Sequence, residues 1–140
     1  MHPTENQQPA SEHPGVDAIL TRHGGLTYLE IPAKNPQQSA AFYQNVLGFL
    51  ARDPDSKEPK FSDPTGDLIG RWITGREPSA NPGLLPYFYV DRIDDAVNKV
   101  VPNGGKILKP PYTEGNLFVA LVQDPAGNTI GLWQAKTNDE

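Results

Sequence analysis

The sequence predicts an α+β fold made of two tandem βαβββ modules. Proline and glycine are dense, with 15 and 13 residues among 140. Short stretches alternate apolar and polar side chains, and one stretch of ten residues recurs later in the chain. This pattern favours short strands and tight turns over long helices. The length is that of one domain, and no apolar run approaches the roughly 20 residues of a membrane-spanning helix.

The first strand is predicted over residues 26–31. Leu29 and Ile31 alternate with Tyr28 and Glu30, so each pair lies on its own face of the strand. This alternation predicts one apolar face toward a core and one face that carries a phenol and a carboxylate.

A helix is predicted to follow. Asn35 is a suitable N-cap, and Pro36 is suited to the first helical position. Apolar side chains then recur at helical spacing as far as Leu47, and Gly48 stands where a left-handed C-cap is expected. Three short strands complete the first module, over residues 49–52, 60–62 and 68–74.

A second module follows a turn-rich linker at residues 75–83. Its first strand is predicted over residues 84–90, and its helix is predicted to begin at Asp91 or Asp94 and to end at Pro102. Strands are predicted over residues 106–109, 117–123 and 129–134.

The two modules carry an internal repeat. Residues 63–72 and 124–133 are identical at six of ten positions, including the Asp-Pro-x-Gly turn and the later Ile-Gly and Trp. The glycine after each helix, Gly48 or Gly105, matches at a slightly smaller offset. The second copy therefore holds four extra residues, which we assign to a loop over residues 110–116. That loop is either a lid over a binding site or a connection without a role in binding.

This repeat resembles the vicinal oxygen chelate superfamily, which includes glyoxalase I, bleomycin-resistance proteins and extradiol dioxygenases. The resemblance rests on Tyr-Leu-Glu-Ile-Pro-Ala from Tyr28, on Ser-Ala-Ala-Phe-Tyr from Ser39 with Val-Leu-Gly-Phe from Val46, and on Gln-Asp-Pro-Ala-Gly-Asn from Gln123. It implies an incomplete barrel with a small-molecule site in a concave cup, and frequent homodimers. It does not imply one particular reaction.

The resemblance also implies four positions that hold a metal ion in metal-dependent members. They are Tyr28, Gly70, Leu85 and Gly131. Leucine and glycine offer no side-chain donor, and a neutral tyrosine is a poor one. We therefore predict no metal and no other cofactor, with a divalent metal at an atypical site as the alternative.

Strand alternation around these four positions predicts an aromatic cup. Gly70 and Gly131 are expected to leave open floor space within it. The predicted ligand-binding residues are Tyr28, Glu30, Trp72, Leu85, Tyr87, Tyr89 and Trp133. Such a cup either binds an apolar or aromatic compound or is filled by its own rings.

Glu30 is the candidate catalytic residue. A carboxylate among aromatic rings is a candidate general base for removing a proton next to a carbonyl. The alternative is that Glu30 pairs with an arginine or lysine, or reaches solvent at the rim of the cup.

Composition excludes several classes of function. The net charge of −5, with scattered basic residues, argues against nucleic-acid binding. The absence of cysteine excludes disulfides and thiol catalysis. The N-terminal residues show no signal-peptide pattern, so a cytoplasmic location is expected. We predict a flexible tail over residues 1–22 and one domain over 23–140, with modules at about 25–75 and 84–135.

Three functions remain open from the sequence. The first is metal-free binding of a small apolar or aromatic molecule. The second is an enzyme of the same superfamily, lyase, isomerase or dioxygenase-like, that uses Glu30 or an atypical metal site. The third is a structural dimer with a filled cup.

Overall fold

The computed structural model describes residues 15–137 and contains two four-stranded mixed sheets. The first module comprises β1 (Tyr28–Pro32), α1 (Pro36–Leu47), β2 (Leu50–Ala51), β3 (Lys60–Ser62) and β4 (Ile69–Ile73). The second module comprises β5 (Tyr87–Tyr89), α2 (Ile93–Asn98), β6 (Lys106–Glu114), β7 (Leu117–Gln123) and β8 (Thr129–Ala135). The first sheet has the order β1-β4-β3-β2 and the second has β5-β8-β7-β6. The predicted α+β class and the two modules are confirmed, and the sheets do not close into a barrel.

Helix α1 has the predicted caps. The side chain of Asn35 accepts a hydrogen bond from the backbone N–H of Gln38 at 3.2 Å, and Pro36 is the first helical residue. Gly48 ends the helix with a left-handed φ of 81°, a conformation that glycine adopts without strain. The sequence therefore determines both ends of this helix locally.

Helix α2 differs from the prediction at both ends. Arg92 is its N-cap and makes no side-chain capping bond, so neither predicted aspartate caps it. A short 3-10 helix over Val101–Asn103 follows, and Gly104 has the left-handed φ of 91°. The glycine that reverses the chain here is thus Gly104, although the repeat aligned Gly105.

The predicted loop over residues 110–116 is wrong, because most of it belongs to strand β6. The strand continues through Pro110 and Pro111, and its pairing with β7 shifts register between Lys109 and Tyr112. Strand β6 lies at the edge of the second sheet, where proline and a bulge are tolerated. The four extra residues lengthen a hairpin and form no lid.

One apolar core joins the two modules. It contains Phe42 and Tyr43 of α1, Trp72 of β4, Val97 of α2 and Leu132 of β8. The rings of Phe49 and Phe88 meet edge to face across the modules, with centroids 5.8 Å apart.

The second Asp-Pro turn also holds the modules together. The amide nitrogen of Asn128 donates to the backbone oxygen of Pro32 at 2.7 Å, and its side-chain oxygen accepts from the backbone N–H of Ser79 at 2.8 Å. This turn therefore fixes the end of β1 and the linker at once.

Only part of the predicted tail lies among the described residues. Residues 15–22 include a 3-10 helix over Ala18–Thr21, and the guanidinium of Arg22 lies 3.7 Å from the carboxylate of Asp67. Residues 1–14 lie outside the described part, so the tail boundary stays a prediction. Within residues 15–137, no helix is long and apolar enough to cross a membrane.

Candidate functional site

The two Asp-Pro turns differ in length by one residue. In the first turn the N–H of Asp63 bonds the oxygen of Leu68, whereas in the second the N–H of Asp124 bonds the oxygen of Asn128. The first turn thus holds one more residue than its copy. A one-residue change of register moves every following side chain to the opposite face of the sheet.

This difference places Trp72 in the core and not in the cup. Its indole is fully buried, with ring centroids 4.8 Å from Phe61 and 6.0 Å from Tyr43 of α1. Gly70 lies on the same side, where an added Cβ would meet the backbone of Leu29 and the ring of Phe61. The predicted cup positions of Trp72 and Gly70 are therefore wrong, and Arg71 takes the face that Gly70 was expected to occupy.

The second sheet keeps the predicted orientation. Tyr87 is the register partner of Gly131, and Tyr89 is the partner of Trp133, so these residues share one face. Val119 of β7 is the register partner of Trp133 on β8 and of Tyr112 on β6, so Tyr112 lies on this face as well. We call the surface formed by Tyr87, Tyr89, Tyr112 and Trp133 the aromatic face.

The aromatic face is reachable from solvent and internally organised. Tyr87 and Tyr89 are 46% and 49% exposed, and Trp133 is half-buried. The rings of Tyr89 and Trp133 meet edge to face at 4.7 Å. The ammonium of Lys109 lies 3.9 Å above the centroid of the Tyr112 ring, a cation–π contact.

The predicted floor space at Gly131 is occupied by Tyr87. A Cβ at Gly131 would stand 2.4 Å from the Tyr87 ring, so the glycine accommodates the ring and leaves no opening. Partial burial raises the pKa of Tyr87, and the nearby Tyr112 and Glu114 raise it further. The Tyr87 phenol is therefore a neutral hydrogen-bonding group at ordinary pH.

The outer face of the first sheet is polar. Tyr28 is 51% exposed, and Glu30 lies beside Arg71 in the parallel register of β1 and β4. The carboxylate of Glu30 forms an ion pair of 2.9 Å with Arg76 and is itself partly exposed. Of the two alternatives for Glu30, pairing with an arginine is the one observed.

A cleft of about 400 Å³ separates β1 from β5. Its walls include Leu29 of β1, Phe88 of β5 and Ile130 of β8, and Leu85 and Glu30 also line it. Leu85 therefore borders the cleft between the modules, just before the aromatic face begins.

The residues present do not fit the metal site that the resemblance implies. Tyr28 offers a neutral phenol, Leu85 and Gly131 offer no donor, and the fourth place on that face is taken by Arg71, a cation. Among residues 15–137, no group of three or more His, Asp or Glu side chains could hold an ion.

Sequence reasoning missed Tyr112, Glu114 and Arg71. Two prolines made residues 110–116 resemble a loop, although alternation from Tyr112 to Glu114 continues the strand. Arg71 was missed because the repeat aligns Gly70 with Gly131, which predicted that Gly70, and not Arg71, faces the cup. No signal in the sequence could have indicated the slip, because the two copies align without a gap and only the hydrogen bonds between strands decide which residue is extra.

Comparison with known proteins agrees with this architecture. Residues 25–132 match the family model described as the Glyoxalase/Bleomycin resistance protein/Dioxygenase superfamily. The chain belongs to this superfamily. The suspected resemblance is confirmed at the level of the family.

Two curated relatives illustrate the sequence similarity. A putative glyoxylase CFP32 of Mycobacterium tuberculosis is 40% identical over 125 residues, covering 81% of this chain and 47% of that protein. The chain thus spans about half the length of this relative. A lactoylglutathione lyase of Neisseria meningitidis is 32% identical over 129 residues, covering 82% of this chain and 94% of its own.

Solved structures share the fold of this superfamily member. The fosfomycin resistance protein FosX of Mesorhizobium loti has a TM-score of 0.65 at 15% identity, covering 83% of this chain and 96% of its own. A glyoxalase/bleomycin resistance protein/dioxygenase family enzyme of Burkholderia phytofirmans has a TM-score of 0.63 at 21% identity, with coverage of 79% and 98%.

Proposed function

We propose that this chain binds a small planar molecule, aromatic or apolar, on the aromatic face. The single observation that carries the proposal is that Tyr87, Tyr89, Tyr112 and Trp133 converge on one solvent-accessible side of the second sheet. Exposed aromatic surface of this kind is costly in water and is typical of recognition sites. A flat aromatic ligand can stack on exposed rings or meet them edge to face.

Polar groups at the margin of the aromatic face favour ligands with a polar substituent. Tyr112 and Glu114 both act electrostatically on the phenol of Tyr87 and raise its pKa. Glu114 is exposed and supplies a negative charge, so a cationic or hydrogen-bond-donating group would be accepted there.

We propose binding without a metal in preference to metal-dependent lyase chemistry. Two relatives are named for glyoxalase-type activities, and that chemistry would have to come from residues at the four family positions. The side chains that this chain has at those positions are not metal donors, and this is the reason for proposing metal-free binding. Metal analysis of purified, untagged protein is expected to give less than stoichiometric nickel, zinc, iron or manganese. One ion per chain would overturn the metal-free part.

We also propose that the chain forms a homodimer in solution. Leu26 and Leu84, which lie outside the aromatic face, are 77% and 93% exposed, and a second copy would bury this apolar surface. Light scattering coupled to size exclusion is expected to give twice the monomer mass. A cytoplasmic location stays a prediction from the sequence.

Tryptophan fluorescence tests ligand binding directly. In a Trp72→Phe background, Trp133 is the sole indole, and titration with 1-naphthol, quinoline and N-methylquinolinium is expected to change its emission saturably. Tyr89→Ala is expected to weaken that binding, while Leu50→Ala, an exposed apolar side chain on the first sheet, leaves it unchanged. No saturable response to any of the three probes would overturn the proposal.

A further inference from the structure

The Nε–H of Arg71 is a buried donor without an acceptor among the described residues. Its Nε lies out of contact with solvent and has no hydrogen-bond partner within residues 15–137, and its guanidinium makes no ion pair there. Buried polar groups in native proteins are nearly always hydrogen-bonded, so an orphaned guanidinium N–H requires an explanation.

The neighbouring carboxylates already have other partners. Glu30, beside Arg71 in the sheet, pairs with Arg76 at 2.9 Å. An oxygen of Glu58 accepts a hydrogen bond of 2.9 Å from the backbone N–H of Thr74. Arg71 is thus surrounded by acids that the fold uses elsewhere.

Arg71 lines a polar cavity of about 490 Å³ on the first sheet, together with two lysines. Lys60 is the register partner of Arg71 on β3, and Lys57 comes from the preceding loop. We call Lys57, Lys60 and Arg71 the basic pocket. Ser56 and Thr74 add hydroxyl groups to the same cavity.

Two acids also line this cavity and limit its positive charge. They are Glu58, held by Thr74, and Asp53, whose Oδ1 accepts from the backbone N–H of Lys60 at 2.5 Å. Three cations therefore face two carboxylates, and both carboxylates are fixed by backbone donors. The excess is one positive charge, and none of the three cations forms an ion pair within residues 15–137.

We propose that the basic pocket binds a carboxylate or phosphate group of a small molecule, with Arg71 as its principal contact. A guanidinium presents parallel N–H donors that match two oxygens of such a group, including the Nε–H that has no partner within the protein. The pocket lies on the first sheet and the aromatic face on the second, so either proposal can fail without the other.

The Nε–H resonance of Arg71 gives a direct test. We expect inorganic phosphate or malonate, added to isotope-labelled full-length protein at constant ionic strength, to shift this resonance saturably. Arg71→Gln is expected to weaken binding by about tenfold or more, and Arg71→Lys by less, because lysine keeps the charge and loses the paired donors. A response to malonate alone identifies a carboxylate ligand, and one to phosphate alone a phosphate ligand.

Arg92→Gln is the matched control. Arg92 is 80% exposed and pairs with Asp95 on the second module, so its removal is expected to leave anion binding unchanged. If Arg71→Gln does not fold, Lys60→Gln takes its place and is expected to weaken binding several-fold. An equal shift with chloride at the same ionic strength, or equal loss in Arg92→Gln, would overturn the proposal.

Discussion

The phenol of Tyr43 donates a buried hydrogen bond of 2.8 Å to Oδ2 of Asp124. This bond joins α1 of the first module to the second Asp-Pro turn. The other carboxylate oxygen accepts from the backbone N–H groups of Ala126, Gly127 and Asn128 at 2.9–3.1 Å. One aspartate thus shapes a turn and holds a helix from the other module.

Tyr43→Phe should therefore destabilise the protein. The change leaves Oδ2 of a buried carboxylate with one partner fewer, and we expect a loss of about 1–3 kcal/mol in the free energy of unfolding. Urea denaturation provides the measurement. Tyr28→Phe is the control, because that hydroxyl is on a side chain 51% exposed, and its removal should change stability by less than about 0.5 kcal/mol. Equal effects of the two substitutions would contradict the role given to the buried bond.

The stability of the protein should depend on the ionisation of Asp124. Burial raises the pKa of this carboxyl above 3.8, and hydrogen bonds from Asn128 and Tyr43 lower it by less. In the pH range from the unfolded value to the raised folded value, the folded state binds more protons. Its stability therefore falls as pH increases through that range.

Comparison with Asp124→Asn isolates this titration. We compare the free energy of unfolding of the unsubstituted protein with that of Asp124→Asn. The first value minus the second should decrease as pH rises from the unfolded to the folded pKa of Asp124, and should level off above the folded pKa. A difference that grows with pH would show that the folded pKa is depressed.

The two tryptophans should differ strongly in their access to solvent. Trp72 is fully buried, whereas Trp133 is half-buried on the aromatic face. Acrylamide is expected to quench Trp72→Phe, which retains Trp133, far more than Trp133→Phe. Comparable quenching of the two variants would show that Trp72 is not in the core.

Gly131 is expected to be intolerant of even a methyl group. A Cβ there would stand 2.4 Å from the ring of Tyr87, so Gly131→Ala must displace the ring or strain the sheet. We expect a loss of about 1–3 kcal/mol on urea denaturation. Gly83→Ala meets nothing within 4 Å and serves as the control. If Gly131→Ala were as stable as that control, the contact between Tyr87 and Gly131 would be refuted.

The sequence by itself determined the features that depend on neighbouring residues. Asn35, Pro36 and Gly48 specify α1, because an N-cap, a fixed φ and a left-handed residue act within one turn of chain. The repeat and its motifs determined the family and the two-module organisation. Alternation along β5 placed Tyr87 and Tyr89 together on one face.

Only the tertiary structure decided which face β4 presents. The two copies of the repeat align without a gap from Asp63 and from Asp124, yet their turns close on Leu68 and on Asn128. That difference comes from hydrogen bonds between strands, which no local pattern encodes. It moves Trp72 to the core and Arg71 outward, because side chains in a strand alternate and a slip of one residue exchanges the faces. Pairing with β7 likewise continues β6 through two prolines to Tyr112, because β6 lies at a sheet edge where a missing N–H is tolerated.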